Sequence, residues 1–236
     1  MIALPSVFTS EISLDFPGQK PLEVKFSDFD MSADAGVLLL RQAEEAMQIS
    51  QGLAKCLTDN REPGKIKHPL VELIRQRVYQ IAAGYEDVND SNRLRHDPIF
   101  KIVCERIPRL GEELLASQPT LSRLENRITK KEINSIRSFF IEQFIGTYEK
   151  PPEELVLDID GWDAETHGEQ QLSLFHGYYS QYMYFPVLIN EAQSGYPLVL
   201  QLRAGNSHSG KGVTGLLRWL FWRLKKAWPG VRIILR

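Results

Sequence analysis

The hydrophobic period of this chain changes once, near residue 150, and that change limits the folds open to it. Before that point apolar residues recur at spacings of three and four, the signature of amphipathic helices. After it they fall into short runs rich in β-branched and aromatic residues, the signature of strands. Tyr148-Glu-Lys-Pro-Pro152 marks the junction as a stiff polar connector. We therefore expect an α+β protein, with a mostly helical domain over residues 1–150 and a sheet domain over 151–236.

In the first part, the alternation Leu22-Glu23-Val24-Lys25-Phe26 predicts a short strand. Leu40, Ala43, Met47, Ser50, Ala54 and Leu57 predict one helix, with Ser32 or Asp34 placed to cap its start. A second helical pattern runs through Leu70, Leu73, Ile74, Val78 and Ile81 until Gly84 stops it. Asp87, Asp90 and Asp97 read as helix caps, and Pro98 opens a helix carrying Phe100, Ile102 and Val103. Thr120 is placed to cap a short helix bearing Leu121, Leu124 and Ile128. Thr129-Lys-Lys-Glu132 is a capping-box pattern leading into Ile133, Ile136, Phe140 and Phe144.

In the second part, strands are expected at Leu155–Asp160, Tyr178–Ile189 and Tyr196–Arg203, followed by a helix and a fourth strand from Val231. Val213, Leu216, Leu217, Leu220, Phe221, Leu224 and Trp228 form the single apolar stripe of that helix. The order β-β-β-α-β is that of the first half of a ribonuclease-H-like fold, in which a helical crossover returns the chain to a parallel strand. Such folds place carboxylates at the end of the first strand, where hard divalent cations promote phosphoryl displacement. Asp158 and Asp160 occupy that position and, two residues apart on a strand, share a face. Asp160 is followed by the turn-forming Gly161 and is the better placed for an open site, with Asp158 the alternative. Asp163, Glu165 and His167 alternate in a glycine-flanked segment and read as a solvated loop rather than a metal cluster.

Composition excludes several classes. The net charge is -2, so no partner follows from charge alone. Two cysteines, Cys56 and Cys104, make neither a disulfide framework nor a CxxC site. No signal sequence or spanning run is evident, and the chain is expected in the cytoplasm, with no membrane partner. Local charge is more telling. From Gly195 to Arg236 no acidic residue occurs, while Arg203, Lys211, Arg218, Arg223, Lys225, Lys226, Arg232 and Arg236 interleave with Trp219, Trp222 and Trp228. Such a stretch suits a nucleic-acid backbone, with a solvated helix face and a membrane surface as the competing readings. Arg123, Arg127, Lys130, Lys131 and Arg137 form a second basic group, diluted by Glu125, Glu132 and Glu142. Gly205-Asn-Ser-His-Ser-Gly-Lys-Gly212 approaches a phosphate-binding loop, but Gly212 stands where a hydroxyl is needed.

Several segments together resemble the transposases of bacterial insertion sequences with a group-1 DDE domain, of the insertion sequence 1380 type. They are Phe26–Asp30 with Ser32–Leu40, Gly84–Asp90 with Leu94–Pro98, and Ser117–Asn126. In the second half they are Leu157–Asp160, Thr166–Gln170, Phe175–Tyr179 and Val231–Arg236. The resemblance implies a metal-dependent enzyme of DNA transposition that cuts and rejoins strands at terminal inverted repeats, using Mg2+ or Mn2+ at a two-metal site. Asp160 then corresponds to the first acid of the triad, with Asp158 nearby. The second acid of the family follows the fourth strand, which here ends at Arg236. By resemblance the chain is truncated before that acid and inactive alone. Its implied partners are double-stranded terminal-repeat and target DNA and a second copy or a full-length transposase, at the nucleoid. Two alternatives remain: an inert DNA-binding or dimerising piece, and a related nuclease that completes its site with Asp163 and Glu165.

Overall fold

The computed structural model describes residues 12–14, 22–24, 33–108 and 113–236, which divide into two compact units, 1–129 and 130–236. The division precedes the Pro151-Pro152 connector at which the sequence places it. The reason is that the last helix before the connector takes its place in the core of the second unit, where Ile141 and Phe144 are buried with Leu155, Leu220 and Trp228.

In the first unit, β1 (Ile12–Leu14) and β2 (Leu22–Val24) pair antiparallel, Ile12 opposite Val24. The remainder of the expected strand, the Ser32 cap and the Phe26–Asp30 segment lie outside the described residues. The helices are α1 (Val37–Met47), α2 (Ile49–Cys56), α3 (Leu70–Ala82), α4 (Ser91–Leu94), α5 (Pro98–Val103) and α6 (Gln118–Asn126). The single helix expected up to Leu57 is two, because Gln48 adopts a left-handed conformation (φ 54°) between them. Its start is capped by Gly36 rather than by Asp34, whose carboxylate instead accepts a hydrogen bond from the Tyr85 hydroxyl. α6 begins before Thr120: Ser117 is its N-cap, and Pro119 sits in the first turn.

The Gly84–Pro98 segment, which carries much of the family likeness, proves to be a set of caps and ties. Gly84 takes φ +89° at the end of α3, Asp87 accepts from the Asn89 amide (2.8 Å), and Asp97 accepts from the Ile99 and Phe100 amides (2.8 and 3.1 Å). Gln76 meets both polar groups of the Ala116 backbone, each at 3.0 Å, so its buried amide is satisfied. Cys104 is in the core with Tyr79 and Phe100, and burial pushes its thiol up.

The second unit contains α7 (Lys130–Gly146), β3 (Glu154–Gly161), β4 (Ala164–Glu165), β5 (Leu174–His176), β6 (Gln181–Tyr184), β7 (Val187–Glu191), β8 (Pro197–Gln201), α8 (Val213–Ala227) and β9 (Arg232–Leu235). Its main sheet has the order β8-β7-β3-β9, with β7 antiparallel to both β8 and β3 and β9 parallel to β3. The crossover between the antiparallel trio and the parallel strand is α8, whose Leu216, Leu220 and Leu224 are buried against the sheet with Trp228. The expected second strand is broken. Phe185-Pro186 separates β6 from β7, since proline cannot donate to a ladder. β6 belongs instead to a small sheet of order β4-β6-β5 that lies between β3 and β7 in the chain. At Gly205 the chain passes so near this small sheet that a Cβ there would lie 1.9 Å from the Met183 carbonyl oxygen. Only glycine fits that approach.

Candidate functional site

β3 is central in its sheet. Leu155 and Leu157 point into the core, and alternation sends Asp158 and Asp160 to the opposite face, about 7 Å apart. The parallel partner β9 runs alongside from Glu154 opposite Arg232 to Leu157 opposite Leu235. The Arg236 amide donates to the Leu157 carbonyl (2.9 Å), and the Arg236 carbonyl accepts from the Ile159 amide (3.0 Å).

The two carboxylates therefore differ. Arg236 donates to Asp158 through Nε and Nη2, each at 2.7 Å, and the guanidinium holds that carboxyl below the usual carboxylate range. Asp160 is exposed. Its Oδ1 accepts from the Gly161 amide (2.8 Å), and it makes no ion pair among the described residues. Asp160 is thus the exposed carboxylate of the pair. Among the described residues no group of three or more His, Cys, Asp or Glu side chains is placed to hold a metal. Asp163 accepts from the Gln181 side-chain amide (2.9 Å), and Glu165, expected in a loop, is in β4 opposite Met183.

Beneath the strand end lies Arg203, whose part the sequence does not reveal beyond a place among the basic residues. It is 7% exposed and takes part in no salt bridge among the described residues. Nε donates to the Phe185 carbonyl (2.8 Å) and Nη1 to that of Ser209 (2.6 Å), with the Lys211 and His208 carbonyls at 3.3 and 3.4 Å. Its guanidinium carbon stacks 4.9 Å from the Phe185 ring centre. A Cβ on Gly161 would meet Arg203 Nη2 and the Pro186 carbonyl, both at 3.3 Å. One buried cation thus ties together the end of β3, the β6–β7 link and the loop before α8. It also settles the nature of the 205–212 loop. A phosphate cradle aims N–H groups inward, whereas this loop turns its carbonyls toward Arg203.

The basic stretch of the second unit is mostly committed to internal partners. Arg223 pairs with Glu142, Arg232 with Glu154, Arg236 with Asp158, and Lys225 donates to the Val231 carbonyl. Lys211, Arg218 and Lys226 face solvent, with Lys226 Nζ 5.5 Å from the centre of the Trp222 ring. Lys130 and Lys131 are exposed at the start of α7. In the first unit, Arg123 is exposed on α6, and Arg127 donates to the Thr58 carbonyl (2.9 Å).

The transposase DDE domain group 1 family profile matches residues 15–236. The chain belongs to that family. It matches no curated protein and no solved structure at a significant level. Among the described residues no helix is long and apolar enough to cross a membrane.

Proposed function

We propose that this chain is a transposase of the insertion sequence 1380 type, in which Asp160 is the first acid of the catalytic triad on a ribonuclease-H-like sheet. The strand order β8-β7-β3-β9, with β9 alone parallel to β3, supports that fold. The observation that carries the assignment is the contrast at the end of β3: Asp158 is gripped by Arg236, while Asp160 keeps an exposed carboxylate with no ion pair among the described residues. An exposed carboxylate on a rigid strand suits one oxygen ligand of Mg2+ or Mn2+. When bound, such ions stabilise the attacking and leaving oxygens of an in-line phosphoryl displacement. Asp160 would hold its ligand oxygen in place through the Gly161 amide, and Arg203 would fix the backbone on which both stand.

Double-stranded DNA carrying terminal inverted repeats is the proposed partner, in the cytoplasm at the nucleoid. Lys211, Arg218 and Lys226 in the second unit, Lys130 and Lys131 on α7, and Arg123 and Arg127 in the first are the proposed phosphate contacts. Arg223 and Lys225 serve the fold first. The lack of a three-acid group among the described residues favours a second reading, in which residues 1–236 act as a DNA-binding or dimerising unit.

The test combines binding of a terminal-repeat duplex across a salt series with Mn2+ titration, read by paramagnetic broadening of resonances near residue 160. Salt-sensitive DNA binding together with Mn2+ broadening lost in Asp160→Asn supports the catalytic reading. DNA binding without Mn2+ broadening supports the second, and no DNA binding sinks both.

A further inference from the structure

The first unit holds a cleft of about 570 Å³ between α6 and the segment following α2, and its chemistry is not explained by packing. The floor is apolar, made by Leu73 and Leu124, which are 2% and 6% exposed. The rim carries three guanidinium groups, Arg61, Arg123 and Arg127, together with the amides of Asn60 and Asn126. Among the described residues one carboxylate serves these cations. Asp59 accepts from Arg61 Nε and Nη2 (2.8 and 2.6 Å) and lies 3.9 Å from Arg127, and these contacts hold it ionised, with a pKa of about 2. Arg123 has no hydrogen bond or ion pair among the described residues. Two positive charges thus remain uncompensated around an apolar floor. Asn126 donates its amide N–H to Ser122 (2.9 Å), which fixes the side chain, and among the described residues its carbonyl oxygen takes no hydrogen bond and can accept one.

The geometry points to this cleft as a binding site for a single unstacked nucleotide of a DNA strand. The phosphate would lie on the Arg123–Arg127 rim, the base or sugar against Leu73 and Leu124, and the base edge toward the Asn126 carbonyl. A bare phosphate would not use the apolar floor, and an apolar ligand would leave the guanidinium rim unanswered. The volume is in the range of small-ligand sites and accommodates a nucleotide. The inference rests on the DNA-transposase reading above, since an acidic peptide would also meet the rim.

The whole chain is titrated with two labelled probes, a blunt duplex and the same duplex carrying one unpaired nucleotide. We expect the second to bind about fivefold to tenfold more tightly, because an unpaired base enters a pocket without the cost of unstacking a paired one. Arg123→Glu, at an exposed position, and Asn126→Trp, which fills the cleft, should each erase that preference, with a thermal melt confirming that both variants fold. Should Asn126→Trp fail to fold, Arg123→Glu carries the test alone. Equal binding of the two probes by the wild type, with salt-sensitive duplex binding retained, overturns the nucleotide site and leaves the DNA reading standing. Displacement by polyglutamate as effective as by oligonucleotide also overturns it, in favour of an acidic partner. Binding of neither probe removes the DNA reading itself and the inference with it.

Discussion

Arg236 and Asp158 meet in a two-point grip, two hydrogen bonds of 2.7 Å between residues far apart in the chain, and this separates two carboxylates that are otherwise alike. A paired carboxylate is a poor ligand for an added cation, because the guanidinium already occupies both oxygens. We expect Asp160→Asn to weaken Mn2+ binding by at least about tenfold, while Asp158→Asn stays near the wild-type value. Isothermal titration of the three proteins checks this. Equal losses in the two variants would mean that the grip opens and both acids bind.

Arg203 answers carbonyl groups from several segments, so its loss leaves buried acceptors without a donor. Arg203→Met should cost about 2–4 kcal/mol in a denaturant melt, mostly the desolvation of those carbonyls. Arg203→Lys recovers little of it, since one ammonium cannot span the same fork. A loss below 1 kcal/mol, in line with an ordinary surface residue, would contradict the role assigned to it.

Gly205→Ala is expected to destabilise the second unit by about 2 kcal/mol or more, because its new methyl group would fall 1.9 Å from the Met183 carbonyl. Gly146→Ala, with open space at the same test position, should be tolerated. Thermal melts of the pair separate steric exclusion from a general dislike of change at glycine.

Glu191 is 2% exposed at the β7–β8 turn. Burial pushes its carboxyl up, but hydrogen bonds from the Ser194 hydroxyl (2.6 Å) and the Ser194 and Gln193 amides (2.7 and 3.0 Å) outweigh that and leave it lowered. A lowered folded pKa adds stability that is fully present above the unfolded value of about 4.3 and is lost as the pH falls through the folded value. Acid titration of stability should therefore be less steep in Glu191→Gln than in the wild type. An unchanged slope would remove the carboxylate from the account.

On α8 the free and committed basic residues should part company on DNA. Arg218→Ala should reduce the slope of log affinity against log salt by about 0.9, one phosphate contact, whereas Lys225→Ala should leave it alone. The same loss in both would show that the helix lies on DNA with its internal contacts broken.

How much of this was legible depends on the range of the interaction. Local patterns were readable: the Asp97-Pro98 cap, the Leu216–Leu220–Leu224 stripe of α8, and the β-β-β-α-β order around Asp160. The break at Gln48 was not, because a left-handed glutamine leaves no mark in an apolar period that continues across it. The small sheet was missed because β4 has two residues and β5 three, too short to show alternation. Arg203 looked like one more basic residue in a basic stretch. Its carbonyl partners have no sequence signature, since every residue carries a carbonyl. The Arg236–Asp158 pair joins side chains 78 residues apart, and the parallel register of β3 and β9 brings them level.

The small sheet leaves the main sheet after Gly161 and returns at Val187, and these two residues face each other across β3 and β7. The chain therefore departs and rejoins on the same rung, as a side branch rather than a link in the main frame. In such an arrangement the branch can lengthen, shorten or change its surface without shifting the register of the strand that carries Asp160. The limits are set where the branch touches the frame: Gly205 donates to the Leu172 carbonyl and lies against Leu174 and Met183, and Phe185 is held by Arg203. Between those ties the branch is free to vary, and at them a change reaches the segment that supports the acid.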